Sequence, residues 1–124
     1  MVVLTVTEIE RYRTELAENA AALRALEMIE DCEGDVEDAA IALALRAGQE
    51  PDRSEQWLDG LAKRWRVFLC QADIQAELAA GTIANAIALL TSETTLPAIL
   101  ATPVVLYVLK TGVDGFCAPL GEKR

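Results

Sequence analysis

Apolar residues recur at helical spacing through the first part of the chain, at Ile9, Tyr12, Leu16, Leu23 and Leu26, with Asn19 in the one place the pattern leaves polar. Written as heptads, Ile9, Leu16 and Leu23 share one seam position and Tyr12, Asn19 and Leu26 the other. Thr7 and Glu10 have the spacing of a capping box, so the pattern predicts one helix from Thr7 to about Asp31, roughly 36 Å long. That is more helix than a small bundle needs. Its narrow stripe predicts a self-association face made of Ile9, Tyr12, Leu16, Asn19, Leu23 and Leu26. A single Asn on such a seam sets register and oligomer state at a cost in stability. The competing reading packs this helix inside the protomer, with Asn19 at the edge of the contact.

An acidic joint follows, Glu30 to Asp38. Gly34 is placed to close the first helix and Asp35 to cap a second, Val36–Ala47, which Gly48 ends. Gln49 to Arg53, containing Pro51, reads as a loop. Asp52 or Ser54 is placed to cap a third helix presenting Trp57, Leu58, Leu61, Trp65, Phe68 and Leu69. The pattern leaves open whether this helix stops near Cys70 or runs on to Ala80.

Gly81 and Thr82 offer a stop and a new start, and Ile83–Leu90 is apolar nearly all round, the mark of a buried helix. A second apolar run spans Leu96–Leu109, with Thr102 placed to cap a helix whose first residue is Pro103. Gly115, Pro119 and Gly121 predict a loop-like tail. Charge sharpens this division: between Leu78 and Gly121 only Glu93, Lys110 and Asp114 are charged, whereas all but three of the 20 acidic residues lie at or before Glu77. So apolar a block must be covered by a core, a partner or lipid. Val2–Val6 and Val104–Val108 are rich in β-branched residues, but a lone two-stranded ribbon is only marginally stable. The expected fold is therefore all-α: one helical domain over residues 1–124, a compact bundle of about five helices around a buried apolar hairpin from Thr82 to Leu109. Residues 1–6 form an N-terminal segment and 112–124 the tail.

Composition narrows function more than it names it. A chain of 124 residues can bury one core without a staple. With 52% hydrophobic but only 5% aromatic residues, much of the apolar content being Ala, it favours close-packed helices over a sandwich. A net charge of −9 and a pI near 4.4 argue against tracking nucleic-acid phosphates or an anionic membrane surface. There is no histidine, which removes the commonest general base and metal ligand and every Ser-His or Cys-His pairing. Cys32, Cys70 and Cys117 show no Cys-x-x-Cys spacing, so free thiols and a cytoplasmic location are expected, with no basic segment opening a secretory signal.

The candidate chemical sites each have a plainer explanation. Asp31, Glu33, Asp35 and Glu37 alternate like the first ligands of a calcium loop. The required Gly and Glu at the sixth and twelfth places are Val36 and Ala42, so a solvated helix junction is expected. Lys63, Arg64 and Arg66 flank Trp65, which shares a face with Leu61 and Phe68; the cations then cover the solvated side rather than bind a nucleic acid. Lys110 fits a lysine snorkelling at a buried helix end. No catalytic residue, metal or cofactor is assigned. The expected function is a non-enzymatic cytosolic protein-interaction or oligomerisation module, a homodimer or the partner of another protein. One alternative inserts the 82–109 hairpin into a membrane, although its arms fall short of the roughly 20 residues of a spanning helix. The other is a carboxylate-based enzyme or metal binder, for which no spacing singles out a pair.

Overall fold

Short-range side-chain caps set the starts of the first three helices of this chain. The computed structural model describes residues 2–51 and 56–122, and the caps proposed at Asp52 and Ser54 lie outside them. Thr5 opens α1 (Val6–Glu15): its hydroxyl accepts the Glu8 N–H and the Glu8 carboxylate accepts the Thr5 N–H. The capping box expected at Thr7 and Glu10 is not formed: the box lies two residues earlier, and Thr7 is inside α1. The single long helix is not formed. α1 ends at Leu16, and Asn19 caps a separate α2 (Ala20–Asp31) by accepting the Ala22 N–H at 3.0 Å.

At the acidic joint the reading holds in detail. Gly34 sits at φ +90°, and a Cβ there would come within 2.3 Å of the Leu4 carbonyl oxygen, so only glycine fits. Asp35 accepts the Asp38 N–H at 3.0 Å and starts α3 (Val36–Arg46). The N-terminal segment is laced onto this joint: Leu4 N–H donates to Gly34 O, Val36 N–H donates to Val2 O, and Val3 bridges Asp35. Val2–Leu4 thus pairs with the α2–α3 turn, Val6 begins α1, and 104–108 is helical.

The third apolar stretch is three helices, α4 (Trp57–Arg64), α5 (Arg66–Leu69) and α6 (Ala72–Ala79), broken at Trp65 and again at Cys70–Gln71. Then come α7 (Ala84–Glu93), α8 (Ala98–Thr111) and α9 (Val113–Glu122). Three expectations are corrected here. α8 begins at Ala98 behind Pro97, so Thr102 and Pro103 lie inside it rather than at its start. The tail is helical despite Gly115 and Pro119, because Val113, Phe116 and Cys117 bury a face that offsets poor propensity. Nine helices, not about five, make up the described residues.

α8 is the hub. It packs on α2, α3, α4, α7 and α9, with Leu100, Val104, Val105, Leu106 and Val108 all buried. Small residues on its neighbours, Ala22 and Ala25 of α2 and Ala39, Ala40 and Ala44 of α3, are fully buried and let the axes approach closely. The charge-poor block is thus covered within the chain itself. Among the described residues no single helix is long and apolar enough to cross a membrane, and α8 and α9 meet at 94°.

Candidate functional site

The predicted seam is turned inward. Ile9, Tyr12, Leu16 and Leu26 are each at most 3% exposed, and Leu23 and Asn19 are half-buried. Two short helices satisfy the same spacing that one long helix would, because each needs only a local apolar stripe. Asn19 serves as a helix cap. Arg13 ties the two helices on the outside, pairing with Glu10 at 2.7 Å and Glu30 at 3.5 Å.

A polar belt crosses the surface over α8. The Tyr107 hydroxyl donates to Asp59 at 2.8 Å, and Lys63 pairs with the other Asp59 oxygen at 2.6 Å. Lys110 pairs with Glu8 at 2.7 Å. The Glu37 carboxylate, buried, accepts the Val2 N–H. With Val2, Val3 and Thr111, the residues Glu37, Tyr107 and Lys110 line a shallow cavity of about 380 Å³. Burial, the hydrogen bond to Asp59 and the negative charges of Asp59 and Glu37 push the Tyr107 phenol up to about 12. Burial tends to raise Asp59, but bonds from Lys63 and Tyr107 and the charges of Lys63 and Arg66 outweigh it, and the net direction is down. Glu8 is likewise held down, burial being outweighed by Lys110 and the Thr5 bonds. A tyrosine pushed upward beside an ionised carboxylate is a hydrogen-bond donor, the opposite of an activated nucleophile. Every charged member of this belt already has a partner.

The other acids and cations resolve similarly. Asp35 caps α3 and Glu37 holds the N-terminal segment. Among the described residues no group of three or more His, Cys, Asp or Glu could hold a metal ion. Lys63 answers Asp59, whereas Arg66 lies 5.0 Å from the centre of the Phe116 ring. Arg64, with Trp57, Gly60 and Glu50, borders an open cleft of about 480 Å³. Trp65 is half-buried, its indole N–H enclosed without a partner.

Two further features escaped the sequence. Cys70 and Cys117, 47 residues apart, form a disulfide with Cα atoms 5.7 Å apart, which corrects the expectation of three free thiols and removes its support for a reducing compartment. Their spacing carries no motif, and only the fold brings them together. Cys32 alone is free; burial, then the charges of Asp38, Asp35 and Asp31, push its thiol up. The second is Glu15, whose carboxylate accepts the N–H groups of both Ile83 and Ala84 and so caps α7 from the far end of the chain.

Exposed apolar surface is left on the outer face of α3. Leu45 is 58% exposed, Ile41 one turn earlier is half-buried, and both line a cleft of about 470 Å³ with Asp38 and Ala42. The inner face of the same helix, Val36, Ala40, Leu43 and Ala44, is buried. No protein-family model, no curated protein and no solved structure matches the chain.

Proposed function

We propose that this chain is a non-enzymatic interaction module that self-associates weakly through the outer face of α3. The observation that supports the reading is the Ile41–Leu45 step, an apolar stripe facing water on a helix whose other side is fully packed. A two-fold axis crossing α3 near Ile41 and Ala42 makes this stripe self-complementary, as an isologous contact requires. In that antiparallel arrangement Asp38 of one copy lies beside Arg46 of the second, and both are exposed in the protomer. The ion-paired belt over α8 favours binding over catalysis, since it holds no free base and no activated nucleophile. One helix face buries less than the roughly 800 Å² per partner of a standard stable complex, so the dimer is weak.

Sedimentation equilibrium from about 10 µM to about 1 mM tests this. The wild type should show a monomer–dimer equilibrium that Leu45→Glu abolishes, with the helical circular dichroism of the variant unchanged. Asp38→Arg should weaken it, and Asp38→Arg with Arg46→Asp should recover it. A wild type that stays monomeric throughout the range, or a dimer indifferent to Leu45→Glu, overturns the reading.

A further inference from the structure

We propose that the Cys70–Cys117 disulfide is a redox-operated strap: a dithiol reductant that opens it releases α9 from the bundle and uncovers the apolar surface beneath. Four observations converge on α9. Its sequence, with Gly115, Pro119 and Gly121 among ten residues, is a poor helix by itself, so its helicity depends on what it is held against. It packs only on α5, α6 and α8 among the elements in substantial contact with it, and it leaves α8 through Gly112 at φ +111°, a position with open space around it. The remaining contacts of α8, to α2, α3, α4 and α7, do not involve α9. A hinge at Gly112 therefore lets α9 move while the rest of the core stays closed.

The attachment itself has two rungs from successive turns of chain. Arg66 stacks on Phe116, and Cys70, four residues on, is bonded to Cys117, the neighbour of Phe116. Cys70 is half-buried and Cys117 only 7% exposed, so a reductant reaches the Cys70 side. Its thiolate bonds to Cys70 Sγ, the Sγ–Sγ bond breaks, and Cys117 leaves as a thiolate that takes a proton. The second thiol of the reductant then attacks the mixed disulfide, Cys70 leaves and is protonated, and the reductant ends as a disulfide, two electrons having passed to the protein. Cys32 does not compete, since its raised thiol stays protonated and is a poor nucleophile. Removal of α9 exposes its own Val113 and Phe116 and thins the cover over the α5–α6 layer that holds Leu69, Ile74 and Leu78.

Hydrogen exchange read by mass spectrometry on the full chain, air-oxidised and then treated with dithiothreitol, tests the strap. Non-reducing thiol counting should first find one free thiol. On reduction, amides of residues 113–122 should lose at least tenfold in protection while those of α2, α3 and α8 keep theirs, and binding of an apolar dye should rise. Reoxidation should restore both. The Cys70→Ser, Cys117→Ser double variant should match reduced wild type with or without dithiothreitol, and Cys32→Ser should switch like wild type. Three free thiols without reductant, unchanged protection of α9 on reduction, or a loss of protection spread evenly over all helices would each overturn the proposal.

Discussion

Glu15 and Ile83 are 68 residues apart, yet the Glu15 carboxylate accepts the Ile83 N–H at 2.7 Å and the Ala84 N–H at 2.9 Å. α7 has no side-chain cap of its own. Thr82, placed in sequence to supply one, instead turns its hydroxyl back to the Glu77 carbonyl. An anion at a helix N-terminus satisfies orphan donors and meets the positive end of the dipole. Glu15→Ala should therefore cost about 1–2 kcal/mol, the upper range of a lost cap, and Glu15→Gln less. Urea unfolding reads this as a lower midpoint at unchanged slope. An unaltered midpoint for Glu15→Ala would contradict the capping role.

Asn19 separates the two readings of the first apolar stripe. As a cap it should lose about 1 kcal/mol on replacement by Ala and little on replacement by Asp or Ser. Asn19→Leu should also destabilise, whereas a polar residue interrupting a coiled-coil seam would give a gain. Leu16→Asp should unfold the chain outright, because a charge would be buried at a site only 2% exposed.

Tyr107 contributes to the alkaline limit. With its folded-state value near 12 and an ordinary tyrosine near 10, the unfolded chain releases this proton first. Stability is fully present below about pH 10 and declines as pH rises from there toward about 12. Ultraviolet absorbance titration should resolve a late-titrating phenol that vanishes in Tyr107→Phe. That variant should also lose part of the alkaline decline in melting temperature.

The acid limit has the opposite sign. Asp59 and Glu8 are both held below their usual range, so their contribution is present above the ordinary carboxylate values of about 4. It is lost as pH falls through the lowered folded values. Replacing Asp59 with Asn should lower the melting temperature near pH 7 and narrow the gap to wild type near pH 2. A gap that is constant across pH would show that the carboxyl's charge does not matter there.

Thr102 is fully buried in α8 and its hydroxyl has no hydrogen-bond partner. An unsatisfied buried polar group costs about 1–3 kcal/mol, and Val has nearly the same shape without the group. Thr102→Val should raise stability by about 1 kcal/mol, seen as a higher denaturation midpoint. A loss of stability would mean the hydroxyl is satisfied in solution, with the Ile99 carbonyl that Pro103 leaves without its helical donor as the natural acceptor.

What was legible in the sequence was what is decided within a few residues. Gly34, Asp35 and Gly48 act where they were placed, because a positive φ and a side-chain cap depend on near neighbours. The all-α class followed from composition and periodicity. The break at Leu16–Asn19 was hidden because the apolar spacing runs through it unchanged, and the Asn that marks it had a second meaning on a seam. α9 was misread because Gly and Pro report intrinsic propensity, while Phe116 and Cys117 supply the tertiary hold that overrides it. The polar belt and the remote cap were out of reach for one reason. Tyr107 with Asp59, Glu8 with Lys110, Glu15 with Ile83 and Cys70 with Cys117 are all pairs made by topology, and no local spacing encodes them.

The central position of α8 also imposes an order on biosynthesis. α2, α3 and α4 all lean on residues 98–111, which a ribosome delivers only after those helices have been made. Until then the alanine-faced surfaces of α2 and α3 lack the helix that covers them. The nascent chain must keep them from neighbouring chains, and the acidic residues that crowd its first 77 positions supply mutual repulsion during that interval. The uneven charge that marks the finished sequence guards the nascent chain through the seconds before its central helix arrives.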